Sequence, residues 1–290
     1  MHSYFTGVLL IFLSAFGFGL MPILALQSYK YGVNVPTLLF LRFALASACL
    51  FAYVLLRRTQ WSIPSRQMLH LFFMGAVLYT LQSTLYFSAV RYIPASLAAL
   101  ILYLYPVLVA ILAVIVDKEK MSAKMLAPIG VALLGITVVL GAPVAGIDFF
   151  GVMLAFGAAL IYSLYIILGR RVVSQVPPLV TSAFIAAFAS LSFLLFGCVD
   201  QSLVFAFPAQ AWLVISGVVL FSTILAMATF FAGMHRIGPT RASILSTVEP
   251  VITIGFSALL LQEALSWTQG IGAGLVLFSA VWVIRQRDTD

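Results

Sequence analysis

Tyr79, Gln82, Ser83 and Tyr86 stand at i, i+3, i+4 and i+7 inside an otherwise apolar stretch. That spacing puts two phenols, an amide and a hydroxyl on one helix face. Groups of this kind bind rather than react. Rings stack, and hydroxyl and amide dipoles hold polar ends. Ser96, Ala99, Tyr103 and Pro106 share a second face, and Tyr162, Ser163 and Tyr165 supply a third group opposite Phe18, Gly19 and Met21. At an offset of 144 residues, the separation of Pro106 from Pro250, the first two faces return as Thr223, Ala226, Met227 and Phe230, then Thr240, Ser243, Thr247 and Pro250. Arg42 and Glu249 also lie inside apolar stretches, where an ionisable group is costly and usually functional. The expected ligand-binding set is Tyr79, Gln82, Ser83, Tyr86, Tyr103, Tyr162, Ser163, Thr223, Ser243 and Thr247, lining a central cavity. The competing reading is interhelical hydrogen bonding by the same groups, worth about 0.6 kcal/mol each.

The stretches that carry these residues must be membrane helices. Of 290 residues, 63% are hydrophobic and 8% charged, against about 25% charged in a soluble domain. The apolar runs are long enough to cross a hydrocarbon core about 30 Å thick, and they lack the alternation of strands. Ten spans are expected, at 5–27, 34–56, 67–90, 95–116, 124–141, 149–169, 178–199, 211–234, 240–261 and 268–284. Cys49 and Cys198 both fall in apolar runs and do not suggest a disulfide framework. The first run follows no basic segment and reads as a helix rather than a cleaved signal.

Basic residues give the orientation. With the N-terminus in the cytoplasm, Arg57, Arg58, Arg66, Lys118, Lys120, Lys124, Arg170, Arg171, Arg236, Arg241, Arg285 and Arg287 all fall inside, and only Lys30 and Arg91 outside. Both termini are then cytoplasmic, and the +7 net charge reports topology, not nucleic-acid binding.

The 144-residue offset also aligns Tyr86–Ser122 with Phe230–Ser266, and Gly7-Val8, Leu10, Phe12, Ala15 and Leu20 with Gly151-Val152, Leu154, Phe156, Ala159 and Leu164. A half-chain unit is duplicated, as residues 1–143 and 144–290. Five spans per unit is odd, so the halves enter the membrane in opposite senses. The loop after span four holds Lys118, Lys120 and Lys124, whereas its copy after span nine holds only Glu263, as opposite sides require. The fold expected is all-α, with ten transmembrane helices in a 5+5 inverted repeat, a recurrent basis of alternating access.

Glu119-x-x-Ser122 followed by Gly130, repeated as Glu263-x-x-Ser266 followed by Gly274, resembles the drug/metabolite transporter superfamily in its ten-helix exporter branch. Leu41-Arg42-Phe43 and Val248-Glu249-Pro250-Val251 resemble it too. The likeness covers essentially the whole chain and is greatest to bacterial aromatic amino-acid exporters. It implies a multi-pass protein of the bacterial inner membrane that exports neutral or aromatic amino acids (Phe, Tyr, Trp, Thr, Met), acting as a monomer without cofactor. Other small metabolites or drugs are the alternative cargo, and a channel the alternative mode.

The shared block itself reads as structural. Ser122 and Ser266 sit where an N-cap is needed, and Ser266 with Gln269 can form a capping box. Gly130 and Gly274 are expected to let helices approach closely. Pro22, Pro106 and Pro250 are expected to bend their helices, the last two as paired hinges or as static kinks. Arg42, about two turns in from the end of span two, either snorkels or pairs with backbone carbonyls. Glu249 is either a proton-coupling carboxyl or a scaffold group bonded to another span.

Enzyme readings find no support. His2, His70 and His235 all lie near span ends, so no intramembrane histidine pair could hold haem or zinc or serve a serine nucleophile. No glycine-rich filter or acidic ring marks a channel. A phosphate or nucleotide-sugar carrier would place several bases in its spans, and only Arg42 is there. A carrier of drug cations would want an acid in span one, which has none. Tyrosines, hydroxyls and little charge suit a zwitterion with an apolar or aromatic body.

Overall fold

The structure, a computed structural model, describes residues 2–56, 63–89, 92–93, 95–117, 123–140, 148–261 and 267–286. Among these there are helices and connecting turns and no strand. Seven helical stretches are long and apolar enough to cross a membrane: Ser3–Lys30, Val35–Leu56, Ser65–Tyr86, Phe149–Val173, Pro178–Val199, Gln210–Ile237 and Pro239–Leu260. Three shorter apolar helices, Tyr105–Val116, Leu126–Val138 and Gly270–Arg285, fall where the other spans were expected. Arg57, Arg58, Arg91, Lys118, Glu119, Lys120, Ser122, Glu263, Ser266 and Arg287 lie outside the described residues.

Helix ends follow local chemistry. Asn34 accepts from the Thr37 amide at 3.0 Å and opens α2 (Val35–Leu56) after α1 (His2–Lys30). Asp148 caps α8 (Phe149–Val173) by accepting from the Phe150 amide at 2.7 Å. Gly238, at φ 84°, ends α11 (Ala226–Ile237) in a backbone region that favours glycine, and Pro239 starts α12 (Pro239–Ser246).

Two stretches are single rods with a π turn in the middle. The third runs as α3 (Ser65–Phe72), a π turn (Phe73–Tyr79) and α4 (Thr80–Ala89). Its counterpart runs as α10 (Gln210–Val219), a π turn (Leu220–Leu225) and α11. A threonine hydroxyl reaches the carbonyl five residues back at each turn, Thr80 just after the first to Gly75 at 3.3 Å and Thr223 within the second to Val218 at 3.0 Å. π turns are rare and concentrate at functional sites.

Two other stretches are broken. α5 (Ala95–Leu102) stops at Tyr103-Leu104 before α6 (Tyr105–Asp117), and α12 stops at Thr247-Val248 before α13 (Glu249–Leu261). The two breaks stand 144 residues apart, so the duplication read in the sequence recurs in the backbone. Pro106 and Pro250 are the second residues of the new helices and do not bend old ones, contrary to the expectation of kinks there. A proline is accommodated in the first turn of a helix, where its missing amide has no intrahelical partner to lose. The chain therefore breaks upstream and restarts one residue before the proline. Of the three, Pro22 lies inside a helix, α1.

Packing brings α1 against α11, α12 and α13, α2 against α9 (Pro178–Val199), α8 against α4 and α6, and α7 (Leu126–Leu140) against α14 (Trp267–Arg285). The last pair makes its close approach at Gly135, where a Cβ would meet the Gly272 carbonyl and Val276 Cγ2, each at 2.8 Å. Gly130 and Gly274, the expected contact glycines, face open space. They lie on the outer side of a helix pair whose seam passes through Gly135, Ile136, Val276 and Ala280. Cys49 and Cys198 are free and exposed. Leu9, Leu55, Leu195, Leu213 and Leu259 also point outward, an apolar surface suited to acyl chains.

Candidate functional site

The core contains a continuous run of aromatic rings. Phe43 on α2 meets Tyr79, the last residue of the first π turn, edge to face at 4.9 Å. Tyr79 meets Tyr165 of α8 at 5.9 Å, and Tyr165 stacks with Tyr162 one turn away at 5.9 Å. Tyr162 meets Tyr105 at 4.9 Å, and Tyr105 meets Tyr103 across the helix break at 6.2 Å. Phe193 and Phe231 flank the run, beside Phe43 and Tyr165 respectively. Offset and edge-to-face contacts of this kind add about 0.5–1.5 kcal/mol each beyond burial.

The run has an ionisable group at each end. The Arg42 guanidinium carbon lies 4.5 Å over the Phe43 ring centroid. At the other end Glu249 lies within electrostatic reach of Tyr103. Tyr86 and Tyr162 also come within electrostatic reach of Glu249.

The two helix breaks meet here. The Tyr105 hydroxyl donates to the Ser243 carbonyl at 3.2 Å, joining α6 to α12. Ser163 on α8 donates to the Ala159 carbonyl at 2.7 Å and to the Tyr105 carbonyl at 3.3 Å. Ser243 donates within α12 to the Thr240 carbonyl at 2.8 Å, and Thr247, just past its end, to the Ile244 carbonyl at 2.6 Å. Thr253 donates to the Gly19 carbonyl at 3.0 Å, where α1 and α13 run so close that a Cβ on Gly19 would sit 2.8 Å from Ile252.

The expected residues thus divide by environment. Tyr79, Tyr103 and Tyr162 join the ring run as half-buried side chains. Gln82 is half-buried, and its side-chain carbonyl accepts from Ser83 at 3.4 Å. Tyr86 packs toward a separate small cluster of Ala89, Ile93, Ala98 and Ala155. Ser163, Thr223, Ser243 and Thr247 are fully buried, each with its hydroxyl on a backbone carbonyl.

Arg42 does not snorkel. It is fully enclosed, donating to Thr223 Oγ1 at 3.2 Å, Met21 Sδ at 2.9 Å and the Ser222 carbonyl at 3.4 Å. The π turn of Leu220–Leu225 carries two of these partners.

Phe43, Tyr105 and Ser222 were absent from the expected set, and Tyr165 was read in the third group but not placed in the set. Three had a signal available: Phe43 follows Arg42, Tyr165 is one turn from Tyr162, and Tyr105 precedes Pro106. Ser222 had none, being one hydroxyl among many.

The family model for the EamA-like transporter family matches the chain twice, over residues 5–141 and 149–285. An aromatic amino acid exporter, YddG, from Ancylobacter novellus is 29% identical over 58% of this chain and 59% of its own length. A protein of Salmonella typhimurium described as "Probable amino-acid metabolite efflux pump" is 29% identical over 66% of this chain and 68% of its own length. An uncharacterized transporter from Archaeoglobus fulgidus is 26% identical over 91% of this chain and 95% of its own. A solved crystal structure superposes with a TM-score of 0.81 at 24% identity, covering 98% of both chains, which is a likeness of fold. A chain that is helical throughout its described residues, apolar enough to cross a membrane many times and matched by the family model in each half belongs to the EamA-like transporter family, whose members are transporters and not enzymes.

Proposed function

We propose that this protein exports neutral amino acids, aromatic ones above all, by alternating access through a cavity beside the ring run. The observation that carries this reading is that run itself, from Arg42 to Glu249. It offers ring faces for an apolar body and an ionisable group at either end. The similarity to an aromatic amino acid exporter supports the same cargo.

In this reading ten helices cross the bacterial inner membrane, both termini are cytoplasmic, and residues 1–143 and 144–290 are inverted halves. Helix breaks at the same place in each half support it, since discontinuous helices commonly frame transporter sites. Tyr79, Gln82, Ser83, Tyr86, Tyr103 and Tyr162 face the substrate. Ser163, Ser243 and Thr247 brace the breaks through the backbone. Pro106 and Pro250 restart the helices about which the halves rock, and Glu249 serves as scaffold through Tyr103. Transport runs down the substrate's own gradient, with the monomer as the working unit.

Reconstitution into liposomes tests this. Counterflow of labelled Phe, Trp, Thr and Met should saturate and show trans-stimulation, with Phe and Trp favoured, with or without a pH gradient. Accumulation of none of the four would overturn the cargo, and single-channel currents would overturn the carrier mode.

A further inference from the structure

The enclosed guanidinium of Arg42 lacks what a buried cation needs. Its three partners are all neutral: a hydroxyl, a backbone carbonyl at 3.4 Å, near the limit for a hydrogen bond, and a thioether. A thioether is a weak acceptor, and an uncompensated charge in a membrane interior is costly. These bonds engage three of the guanidinium's five N–H donors among the described residues. Ser222, whose backbone carbonyl accepts from Arg42, also has a fully buried Oγ with no hydrogen-bond partner among the described residues. Unsatisfied buried polar atoms are rare enough to require a reason. Two unmet needs thus fall on residues in contact, a cation short of negative charge and a hydroxyl short of an acceptor.

We propose that Arg42 and Ser222 together receive the carboxylate of the substrate. This rests on the amino-acid reading above and names which end of the molecule docks where. A guanidinium offers parallel N–H donors matched to a carboxylate's two oxygens, and Ser222 Oγ–H supplies one more. One guanidinium balances one negative charge, so a carboxylate fits better than a phosphate. Met21 is the group displaced: its unbranched side chain moves among rotamers at little cost, and its sulfur is the weakest of the three acceptors. Thr223 stays. Its hydroxyl donates to the Val218 carbonyl and so keeps a lone pair toward Arg42 Nε.

The site also orients the rest of the ligand. Phe43 covers the guanidinium and abuts Tyr79, so a carboxylate held on Arg42 leaves its organic body along Tyr79 and Tyr165. Enclosed on all sides, the guanidinium is reached when α1 moves relative to α2 and the second π turn, a motion that alternating access supplies.

The test compares wild type with Arg42→Gln, Arg42→Lys and Ser222→Ala in detergent and in liposomes, each checked for monodispersity and thermal midpoint. Unlabelled phenylalanine and phenylalaninamide compete against labelled phenylalanine in counterflow. In wild type the amide should compete about 10-fold or more weakly, the effect of losing charge-assisted hydrogen bonds. Arg42→Gln should bring phenylalanine down to the level of the amide and leave the amide unchanged. Arg42→Lys should fall between, and Ser222→Ala should weaken phenylalanine by about 2- to 10-fold.

A second arm needs no transport. Phenylacetate, but not phenylacetamide, should raise the thermal midpoint of wild type and of Arg42→Lys, and not of Arg42→Gln. Wild type indifferent to the carboxylate in both arms overturns the proposal, as does a folded Arg42→Gln that still discriminates. Should Arg42→Gln fail to fold, Ser222→Ala and the wild-type comparison decide. Absence of amino-acid counterflow together with phenylacetate stabilisation that Arg42 controls would sink the cargo and leave the carboxylate site standing.

Discussion

Gln82→Ala separates a ligand-facing amide from a packing one. The side chain is half-buried on α4, and its carbonyl accepts only a 3.4 Å bond from the adjacent Ser83 hydroxyl. That bond is at the weak end of the range, so deleting the amide costs the fold little. A substrate hydrogen bond to the same amide is worth about 0.5–1.5 kcal/mol net. At 1.4 kcal/mol per decade this is a rise in KM of about 2- to 10-fold. The assay is counterflow of labelled phenylalanine at graded concentrations, with the thermal midpoint of the purified variant measured alongside. The expected result is a higher KM at unchanged midpoint. An unchanged KM in well-folded protein would show that this face packs against a neighbouring helix. A fall in midpoint with no change in KM would show the same more directly.

Other outcomes follow from the same contacts. Glu249→Gln keeps the size and polarity of the group beside Tyr103 and should transport at close to wild-type rate, indifferent to a pH gradient. Glu249→Ala removes the half-buried carboxyl beside Tyr103 and should lower the thermal midpoint. Selective loss of gradient dependence in Glu249→Gln, with substrate exchange intact, would instead make it a coupling group. Gly135→Leu forces a side chain into the Gly272 carbonyl and Val276 and should destabilise by about 1–3 kcal/mol or more, whereas Gly130→Leu should be silent in a thermal melt. Reporters fused after Asp290 and within the 58–66 loop should be cytoplasmic, and one in the 262–266 loop external; an external C-terminus would break the ten-span count and the inverted repeat together.

Much of the architecture was legible because membrane folding depends first on quantities that add along a chain. Length and apolarity place each helix, with the long helices falling within a few residues of the expected spans. The 144-residue offset was also a purely linear signal, and it anticipated that Tyr103-Leu104 and Thr247-Val248 would behave alike. The tyrosines at 79, 103 and 162 were legible as a group, because polar-tipped rings are conspicuous among aliphatic residues.

What could not be read was where each side chain spends its bonding capacity. Ser163, Ser243 and Thr247 look like cavity hydroxyls by spacing, yet each donates to a backbone carbonyl that helix position brings near. Gly130 and Gly274 share a family pattern, but which glycine meets a neighbour depends on the rotation of α7 against α14, and Gly135 is the one at the seam. The prolines announced an interruption, and only the folded backbone put it two residues upstream. Arg42 shows the division most clearly. Its presence in an apolar helix was evident from the chain, since a charge in lipid must have a purpose. Its enclosure by Met21, Phe43, Ser222 and Thr223, 21 to 181 residues away for the hydrogen-bonding partners, was decided by tertiary packing, because directional bonds depend on three-dimensional placement that no additive property of sequence encodes.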